Sequence, residues 1–189
     1  DLALFRAMPN MTVIDPCDAL EIEQAVPAMI AHDGPVYMRL LRGKVPLVLD
    51  EYGYTFELGK AKVVRDGSDV LVISTGLATM RALETAKALE ADKISVAVLH
   101  VPTIKPLDTA TILAEAARTG RMVVVAENHT VIGGLGEAVA GVLLREGVAP
   151  KFRHIGLPDE FLAAGALPTL HDRYGISAAA MGASIKGWL

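Results

Sequence analysis

Short apolar runs rich in β-branched residues recur along this chain, and most are followed by a segment whose apolar residues return at helical spacing. The runs carry few polar residues on either face, which is typical of strands buried between two layers of helices. This alternation predicts an α/β fold with a mostly parallel sheet. The predicted strands are 11–14, 35–41, 60–65, 70–74, 94–99, 121–125 and 152–155, and the predicted helices are 20–30, 77–89, 109–116, 135–146, 158–173 and 176–188.

The same pattern divides the chain into two sections. Residues 1–45 contain two strands joined by one helix, a βαβ unit whose strands should be parallel. Leu2 and Phe5 already have the spacing of an amphipathic helix, so the chain looks like one cut inside a domain. Residues 46–57 predict a linker between domains, with an ordinary long loop as the alternative. Residues 58–189 contain enough strands and helices to predict a second domain that folds alone.

Polar side chains and glycines follow the sixth predicted strand. Glu127 and His129 come almost directly after it, and Gly133, Gly134 and Gly136 lead into the next helix. Open α/β sheets build their sites at such positions, because carboxyl ends of strands and amino ends of helices converge there. The free N–H groups of the helix start and the permissive glycine backbone could hold an anion. Alternatively, the glycines only make a tight turn, and Glu127 and His129 pair with neighbouring backbone.

Composition and charge narrow the class of protein further. Apolar residues make up 52% of the chain and charged residues 21%, which is enough to bury a core and excludes disorder. The net charge of −4 and the lack of a Lys/Arg cluster argue against a nucleic-acid partner. A single cysteine excludes a disulfide framework, and the five histidines show no metal-ligand spacing. No apolar run reaches about 18 residues and no signal peptide opens the chain, which predicts a soluble cytoplasmic protein with no membrane partner.

Four other polar residues carry weak signals. His100, His154 and His171 have no evident partner in the sequence, so we expect them at the surface or at a boundary of the core. Cys17 lies near a predicted helix start, where the helix dipole could lower the pKa of its thiol. Simple burial is the alternative for this cysteine.

Six segments in fixed order resemble one enzyme family over essentially the whole chain. They are Phe5–Val13, Pro16–Ala19, Gly34–Leu40, Thr103–Asp108, the turn from Glu127 to Gly136, and Asp172–Ile176. This order resembles the C-terminal half of a transketolase, and most of all the separate C-terminal subunit of split transketolases in the thiamine-diphosphate superfamily. The resemblance implies that residues 1–45 are the last part of a pyrimidine-binding domain with a parallel sheet. It also implies that residues 58–189 are a transketolase C-terminal domain, with a mostly parallel five-stranded sheet and helices on both faces.

The resemblance further implies a reaction, the transfer of a two-carbon ketol unit between sugar phosphates of the pentose phosphate pathway. In the family, thiamine diphosphate and Mg lie between the diphosphate-binding and pyrimidine-binding domains, across a dimer interface. The glutamate that activates the cofactor, the aromatic residues that hold it and the metal ligands would all lie upstream of Asp1. We therefore expect no catalytic, cofactor-binding or metal-binding residue in this chain, and no activity from the chain alone. The expected partners are an N-terminal transketolase section or subunit, a homodimer-type assembly and a sugar-phosphate substrate.

Two arginines near the end of the second predicted strand are the substrate-binding candidates that the resemblance implies. The family places an arginine in an Arg-x-x-hydrophobic-Pro setting, where it binds the sugar phosphate, and Arg42 matches that setting. A guanidinium offers a planar fork of donors to a phosphate dianion. Arg39 is the second candidate, with a structural ion pair as its alternative. In the family, the turn that corresponds to Glu127 and His129 faces the domain interface. Hydrogen bonds across that interface are therefore an alternative to ligand binding for these two residues.

Other assignments compete with this one. Residues 39–43 also resemble the strand end of a 1-deoxyxylulose-5-phosphate synthase, whereas Met8–Met11 and Thr103–Asp108 favour a transketolase. The β subunit of a 2-oxo-acid dehydrogenase belongs to the same superfamily. A non-catalytic dimerisation module is a further alternative from a different class. The resemblance does not indicate the preferred sugar or any regulatory ligand.

Overall fold

The computed structural model describes residues 1–41 and 45–189. Within these ranges the structure has eight strands and seven α-helices, and two short 3₁₀ helices cover Leu49–Tyr52 and Glu90–Asp92. The strands are β1 (Thr12–Ile14), β2 (Val36–Met38), β3 (Lys62–Arg65), β4 (Val70–Ser74), β5 (Val96–His100), β6 (Thr103–Lys105), β7 (Met122–Thr130) and β8 (Phe152–Leu157). The α-helices are α1 (Leu2–Ala7), α2 (Ala19–Ala31), α3 (Leu77–Leu89), α4 (Thr109–Ala116), α5 (Leu135–Arg145), α6 (Leu167–Arg173) and α7 (Ala178–Trp188).

The larger sheet has five strands in the order β3-β5-β4-β7-β8. β4 is parallel to both β5 and β7, and β7 is parallel to β8, while β3 runs antiparallel to β5 at one edge. Both faces are buried, since Val70 and Val72 belong to one apolar cluster and Leu71 and Ile73 to another. The prediction of a mostly parallel sheet covered on both faces is confirmed.

The smaller sheet joins the two sections of the chain. Its strands β1 and β2 are parallel, with Thr12 opposite Val36, as predicted for the βαβ unit. Its third strand, β6, comes from the second section and runs antiparallel to β1. None of the strands predicted from the sequence lies at this position. Ile104 packs with Leu2 and Val13 in a separate apolar cluster, which explains why so short a segment extends along β1.

The bounds of some elements differ from the prediction. β7 continues to Thr130 instead of ending at Val125, because β8 accompanies it as far as the pair of Thr130 and Leu157. The predicted helix 158–173 is reduced to α6. Its first part contains a proline and a glycine and offers no buried apolar face, since Phe161 is fully exposed. β2 is also shorter than predicted.

The segment predicted as a linker packs into the core. Tyr54 and Phe56 are buried in the same apolar cluster as Ile14 and Val72, which belong to the two different sections. The Phe56 N–H donates to the Gln24 side chain at 2.7 Å. The core is therefore continuous across the segment 46–57, and the domain boundaries drawn from the sequence stay a prediction.

Candidate functional site

Strand ends from both sheets face one another where the two sections meet. After β1, the Asp15 N–H donates to the Pro102 carbonyl at 2.8 Å, and the Asp15 carbonyl accepts from the Gly76 N–H at 3.0 Å. Gly76 precedes α3 after β4, and Pro102 follows β5. After β2, the Arg39 N–H donates to the Ile14 carbonyl at 2.9 Å. These contacts bring the carboxyl ends of four strands together, which is where α/β proteins build binding sites.

An ion pair between Asp15 and Arg39 lies in this junction. Arg39 Nε and Nη2 donate to the two Asp15 carboxylate oxygens at 2.8 and 2.7 Å, and Nη1 donates to the Asn128 carbonyl at 2.8 Å. The side chains are 1% exposed for Asp15 and 12% exposed for Arg39. Burial lowers the pKa of Arg39, but the charge and hydrogen bonds of Asp15 outweigh it and raise the pKa. The geometry agrees with the structural ion pair that the sequence left as the alternative for Arg39.

A cavity of about 680 Å³ lies beside this ion pair, between the two sections. Arg39, Arg81, Asn128 and His171 are among the residues that line it. His171 is 7% exposed and lines this cavity, so it lies at a boundary of the core, one of the two positions expected from the sequence. Burial, and then the charge of Arg81, lower the pKa of His171, which keeps its imidazole neutral near pH 7. Arg81 has no sequence signal of its own, since its ion pair with Glu84 is an ordinary i,i+3 pair of α3, and only the fold brings it to the cavity.

Arg42, the main substrate-binding candidate, lies outside the described residues, as do Gly43 and Lys44. The nearest described residues on either side, Leu41 and Val45, both line the cavity. The substrate-binding role of Arg42 therefore stays a prediction.

The Glu127 side chain occupies the amino end of α5. Its two oxygens accept from the Leu135 and Gly136 N–H groups, each at 2.8 Å, and His154 Nε2 donates to Oε1 at 2.8 Å. Burial raises the pKa of Glu127, but these hydrogen bonds outweigh it and the pKa is lowered. An external anion would have to displace this carboxylate. The geometry therefore favours the alternative in which Glu127 pairs with neighbouring backbone.

Glycines in this turn are required because polar side chains lie directly against them. A Cβ at Gly134 would come within 1.9 Å of Glu127 Oε2, and one at Gly136 within 2.2 Å of the His154 ring. Gly133 has a φ of +76°, a conformation that residues with side chains rarely adopt. His154, expected at the surface or a boundary without a partner, is instead the partly buried partner of Glu127.

The same turn contacts α1 of the first section. The Arg6 guanidinium donates to the Gly134 carbonyl at 2.9 Å. His129 Nδ1 donates to the Thr130 carbonyl at 2.9 Å, which leaves Nε2 as an acceptor for the Ala3 N–H at 3.5 Å. Burial lowers the pKa of His129 and so favours its neutral form. The turn therefore forms part of the contact between the two sections of this chain.

A second polar network is buried between α2 and β5. Glu21 accepts from the Tyr54 hydroxyl and the Cys17 N–H, both at 2.6 Å, and from His100 Nε2 at 2.9 Å. His100 Nδ1 lies 2.7 Å from the Thr79 hydroxyl. Glu21 and His100 are fully buried, so the expectation that His100 lies at the surface or a boundary is wrong. The two residues are 79 positions apart in the sequence, and no local spacing could have indicated the pair.

Cys17 is fully buried beside this network. Burial, and then the negative charge of Glu21, raise the pKa of the Cys17 thiol well above its usual range. The prediction of a lowered pKa for the Cys17 thiol is therefore wrong, and the alternative, simple burial, is confirmed.

Neither a metal centre nor a membrane span occurs in the part of the chain that the structure describes. Within residues 1–41 and 45–189, no group of three or more His, Cys, Asp or Glu side chains could hold a metal ion. No helix in these ranges is long and apolar enough to cross a bilayer. The described side chains therefore do not fit a divalent cation as its ligands.

Comparison with known proteins identifies the family. The family model for the transketolase C-terminal domain matches residues 59–181, and the model for the transketolase pyrimidine-binding domain matches residues 1–48. This chain belongs to the transketolase family.

Curated relatives and a solved structure agree with this assignment. An uncharacterised transketolase family protein of Sinorhizobium fredii is 73% identical, over 100% of this chain and 55% of the relative. A 6-deoxy-6-sulfo-D-fructose transketolase subunit of a Clostridium species is 40% identical, over 94% of this chain and 54% of the relative. A 1-deoxy-D-xylulose-5-phosphate synthase of Syntrophotalea carbinolica is 38% identical, over 100% of this chain and 30% of the relative. A solved split-gene transketolase, described as an inactive β4 tetramer, has a TM-score of 0.90 at 39% identity, over 100% of this chain and 61% of that chain.

The chain spans about half the length of the first two of these relatives, and less than a third of the synthase. The reaction, substrates and partners of a whole protein therefore belong to the proposal that follows.

Proposed function

We propose that this chain is the C-terminal section of a thiamine-diphosphate-dependent transketolase, which moves a two-carbon ketol unit between sugar phosphates. The observation that carries the proposal is the order of the two family domains along the chain, with their strand ends meeting beside a cavity. One relative is named as a transketolase subunit for a sulfonated sugar, and a sulfonate, like a phosphate, is an anionic group with three acceptor oxygens. An anionic end group is therefore the feature of the substrate that we expect this chain to recognise.

Catalysis requires an N-terminal section in this proposal, either as a separate subunit or as another part of a longer chain. The described residues contain no group of three or more His, Cys, Asp or Glu side chains that could hold a magnesium ion. A relative described as an inactive β4 tetramer supports the expectation that this chain alone is inactive. A homodimer-type assembly of both sections in the cytoplasm completes the proposal.

The chain's own contribution is to bind and orient the sugar. Thiamine diphosphate supplies the carbanion chemistry at the ketose carbonyl when it is bound in the complete enzyme. Arg42 would donate to the anionic end of the sugar, remote from the reacting carbonyl. A guanidinium suits this task because its planar fork can bind two phosphate oxygens at once.

A donor assay tests the reaction class. The chain is combined with its N-terminal section, thiamine diphosphate and Mg²⁺, and is given a ketose phosphate donor with an aldose phosphate acceptor. We expect ketol transfer from the combined sections and none from the chain alone. Failure of the combined sections to transfer a ketol unit from any donor would overturn the proposal.

A second candidate is a 1-deoxyxylulose-5-phosphate synthase, which the relative of that name and the resemblance of residues 39–43 favour. The same assay separates the two, because a synthase consumes pyruvate and releases carbon dioxide. Carbon dioxide release from pyruvate and glyceraldehyde phosphate, without ketol transfer, would establish the second candidate. The segments Met8–Met11 and Thr103–Asp108 favour the transketolase.

A further inference from the structure

Two buried side-chain nitrogens without a hydrogen-bond partner belong to residues that line one cavity. Among the described residues, three side-chain nitrogen or oxygen atoms are buried in this way, and Arg81 Nε and His171 Nδ1 are two of them. Both residues line the cavity of about 680 Å³ between the two sections. Buried polar groups are almost always hydrogen-bonded, so two exceptions in the wall of one cavity indicate a function there.

The charge of Arg81 is available to a ligand. Arg81 Nη1 donates to Glu84 Oε2 at 2.8 Å, but the Glu84 side chain is 47% exposed, and water weakens an ion pair of this kind. Arg39 also lines the cavity, but its guanidinium is occupied by the buried carboxylate of Asp15. Of these two arginines, Arg81 is therefore the one that can bind a new anion.

An amide and an imidazole lie beside Arg81 in the cavity wall. Asn128 lines the cavity and also a neighbouring cleft together with Arg81, and its backbone carbonyl is fixed by Arg39 Nη1 at 2.8 Å. The His171 ring is neutral near pH 7, as described above. A proton on its Nδ1 would be a buried donor without an acceptor, so the neutral ring carries its proton on Nε2. Guanidinium, amide and imidazole together offer a set of N–H donors.

The carboxylate among the described lining residues is occupied elsewhere. Asp1 accepts from the Tyr37 hydroxyl at 2.8 Å and lies 3.6 Å from Arg39 Nη1. Its negative charge is thus paired on the Arg39 side of the wall and does not neutralise Arg81.

We propose that Arg81, Asn128 and His171 form a subsite that binds the oxyanion at the end of the sugar, a phosphate or a sulfonate. The inference rests on the function proposed above for the identity of the sugar, whereas the subsite itself consists of described residues of the second section. Donors from three side chains match the three terminal oxygens of such a group. The second section thereby takes part in substrate recognition.

Binding of an oxyanion to the full chain is the first test. Inorganic phosphate, or methanesulfonate in a second titration, is added at constant pH and ionic strength, and the imidazole resonances of His171 are followed by NMR. We expect a saturable shift in the unmodified chain and in Lys87→Met, and none in Arg81→Met. Lys87 is the matched control, because it also lies on α3 and pairs with one exposed carboxylate, Glu51, but does not line the cavity.

Chloride at the same ionic strength should leave the His171 resonances unchanged. If these resonances respond to neither oxyanion, or respond equally to chloride, the subsite does not exist.

Glu84→Gln tests the subsite in the opposite direction and keeps Arg81 in place. Because Glu84 competes with the ligand for the guanidinium, its neutralisation should tighten phosphate binding about twofold to fivefold, the size of an exposed ion pair. Arg81→Lys should weaken binding, since a point charge lacks the planar fork. Unchanged or weaker binding in Glu84→Gln would mean that Arg81 serves only its ion pair, and the proposal would be wrong.

Steady-state kinetics of the complete enzyme assign the subsite to the sugar. Arg81→Met should raise the KM for a phosphorylated donor about tenfold, as expected for the loss of one charge-assisted contact. The KM for hydroxypyruvate, which has no phosphate, should stay unchanged, and inorganic phosphate should compete with the phosphorylated donor. Equal losses on both donors, or inhibition that is not competitive, would show that the subsite does not hold the end of the sugar. Absence of ketol transfer by the unmodified enzyme would instead contradict the proposed function, and the phosphate titration would still decide whether the subsite exists.

Discussion

Glu127 takes the place that a bound anion would have at the start of α5. Two backbone N–H groups and the His154 imidazole satisfy its carboxylate, and Gly134 and Gly136 leave room for these contacts. A hydrogen bond to a charged group contributes about 1.5–3 kcal/mol. The free energy of this turn therefore depends on Glu127 being ionised.

Glu127→Gln should lower the free energy of unfolding at pH 7 and should make it change less as the pH falls towards 3. Because the pKa of Glu127 is lowered on folding, its stabilising effect is complete above the unfolded pKa of about 4.3 and is lost as pH falls through the folded pKa. We expect a loss of about 1–3 kcal/mol at pH 7, since an amide cannot accept from both N–H groups. Urea unfolding between pH 7 and pH 3 measures both effects. The exposed Glu146→Gln is the control, and an unchanged acid dependence in Glu127→Gln would contradict the assignment.

Arg42→Ala should impair the complete enzyme in a substrate-dependent manner. Loss of a charge-assisted contact costs about 1.5–3 kcal/mol, so kcat/KM for a phosphorylated donor should fall by about one to two decades. Hydroxypyruvate should be nearly unaffected, and Arg42→Lys should restore only part of the loss because a point charge lacks the bidentate fork. Steady-state kinetics with both donors measure the difference.

Arg145→Ala, which removes an exposed arginine at the end of α5, is the matched control for Arg42→Ala. It should leave both donors unaffected. Equal losses on phosphorylated and unphosphorylated donors in Arg42→Ala would show that Arg42 is structural.

At the scale of single residues, the sequence indicated polar positions but not their partners. The strand that precedes Glu127 indicates this residue, whereas Arg39 is indicated only through the family resemblance. His100 was misjudged because its partner, Glu21, lies on a helix of the other section. The sequence likewise shows no partner for His154, because β8 brings it to Glu127 in β7 across 27 positions of sequence. Burial of a histidine against a carboxylate leaves no local pattern.

At the scale of elements, the strands of the larger sheet were predictable because both of their faces are buried. Their continuous apolar runs differ clearly from the helical spacing that follows them. β6 was not predictable, since it has only three residues and pairs with β1, about ninety positions earlier. Its register depends on tertiary contacts that no short window contains.

Ile104 connects β6 to the first section, and its truncation should cost much of the protein's stability. Ile104 is 2% exposed and packs with Leu2 and Val13, so Ile104→Ala should lower the free energy of unfolding by about 2–5 kcal/mol. Ile132→Ala is the matched control, because Ile132 is 49% exposed and should lose less than about 0.5 kcal/mol. Urea unfolding of both variants measures the difference, and similar losses would mean that β6 is not anchored there.

At the scale of the whole molecule, the two sections share one core. Ile14, Cys17 and Ala25 belong to the same apolar cluster as Val70 and Val72. The prediction that residues 58–189 fold alone rests on the number of strands and helices in this section. That number takes no account of the apolar surface that the section shares with residues 1–45. Removal of the first section would also expose the edge of β6 and the buried His100.

We therefore expect the fragment 58–189 to be less stable than the whole chain, which should unfold in a single transition. Calorimetric or urea unfolding of both would measure this. Equal stability of the fragment and the whole chain would show that the shared core contributes little.

Titration calorimetry with thiamine diphosphate and Mg²⁺ tests most directly whether the cofactor site lies outside this chain. The chain alone and the chain combined with its N-terminal section are titrated under the same conditions. We expect no micromolar binding by the chain alone, because its described residues provide no ligand cluster for a divalent cation. Binding should appear when the N-terminal section is added. Micromolar binding by these 189 residues alone would contradict the assignment of this chain to the sugar-binding rather than the diphosphate-binding part of a transketolase.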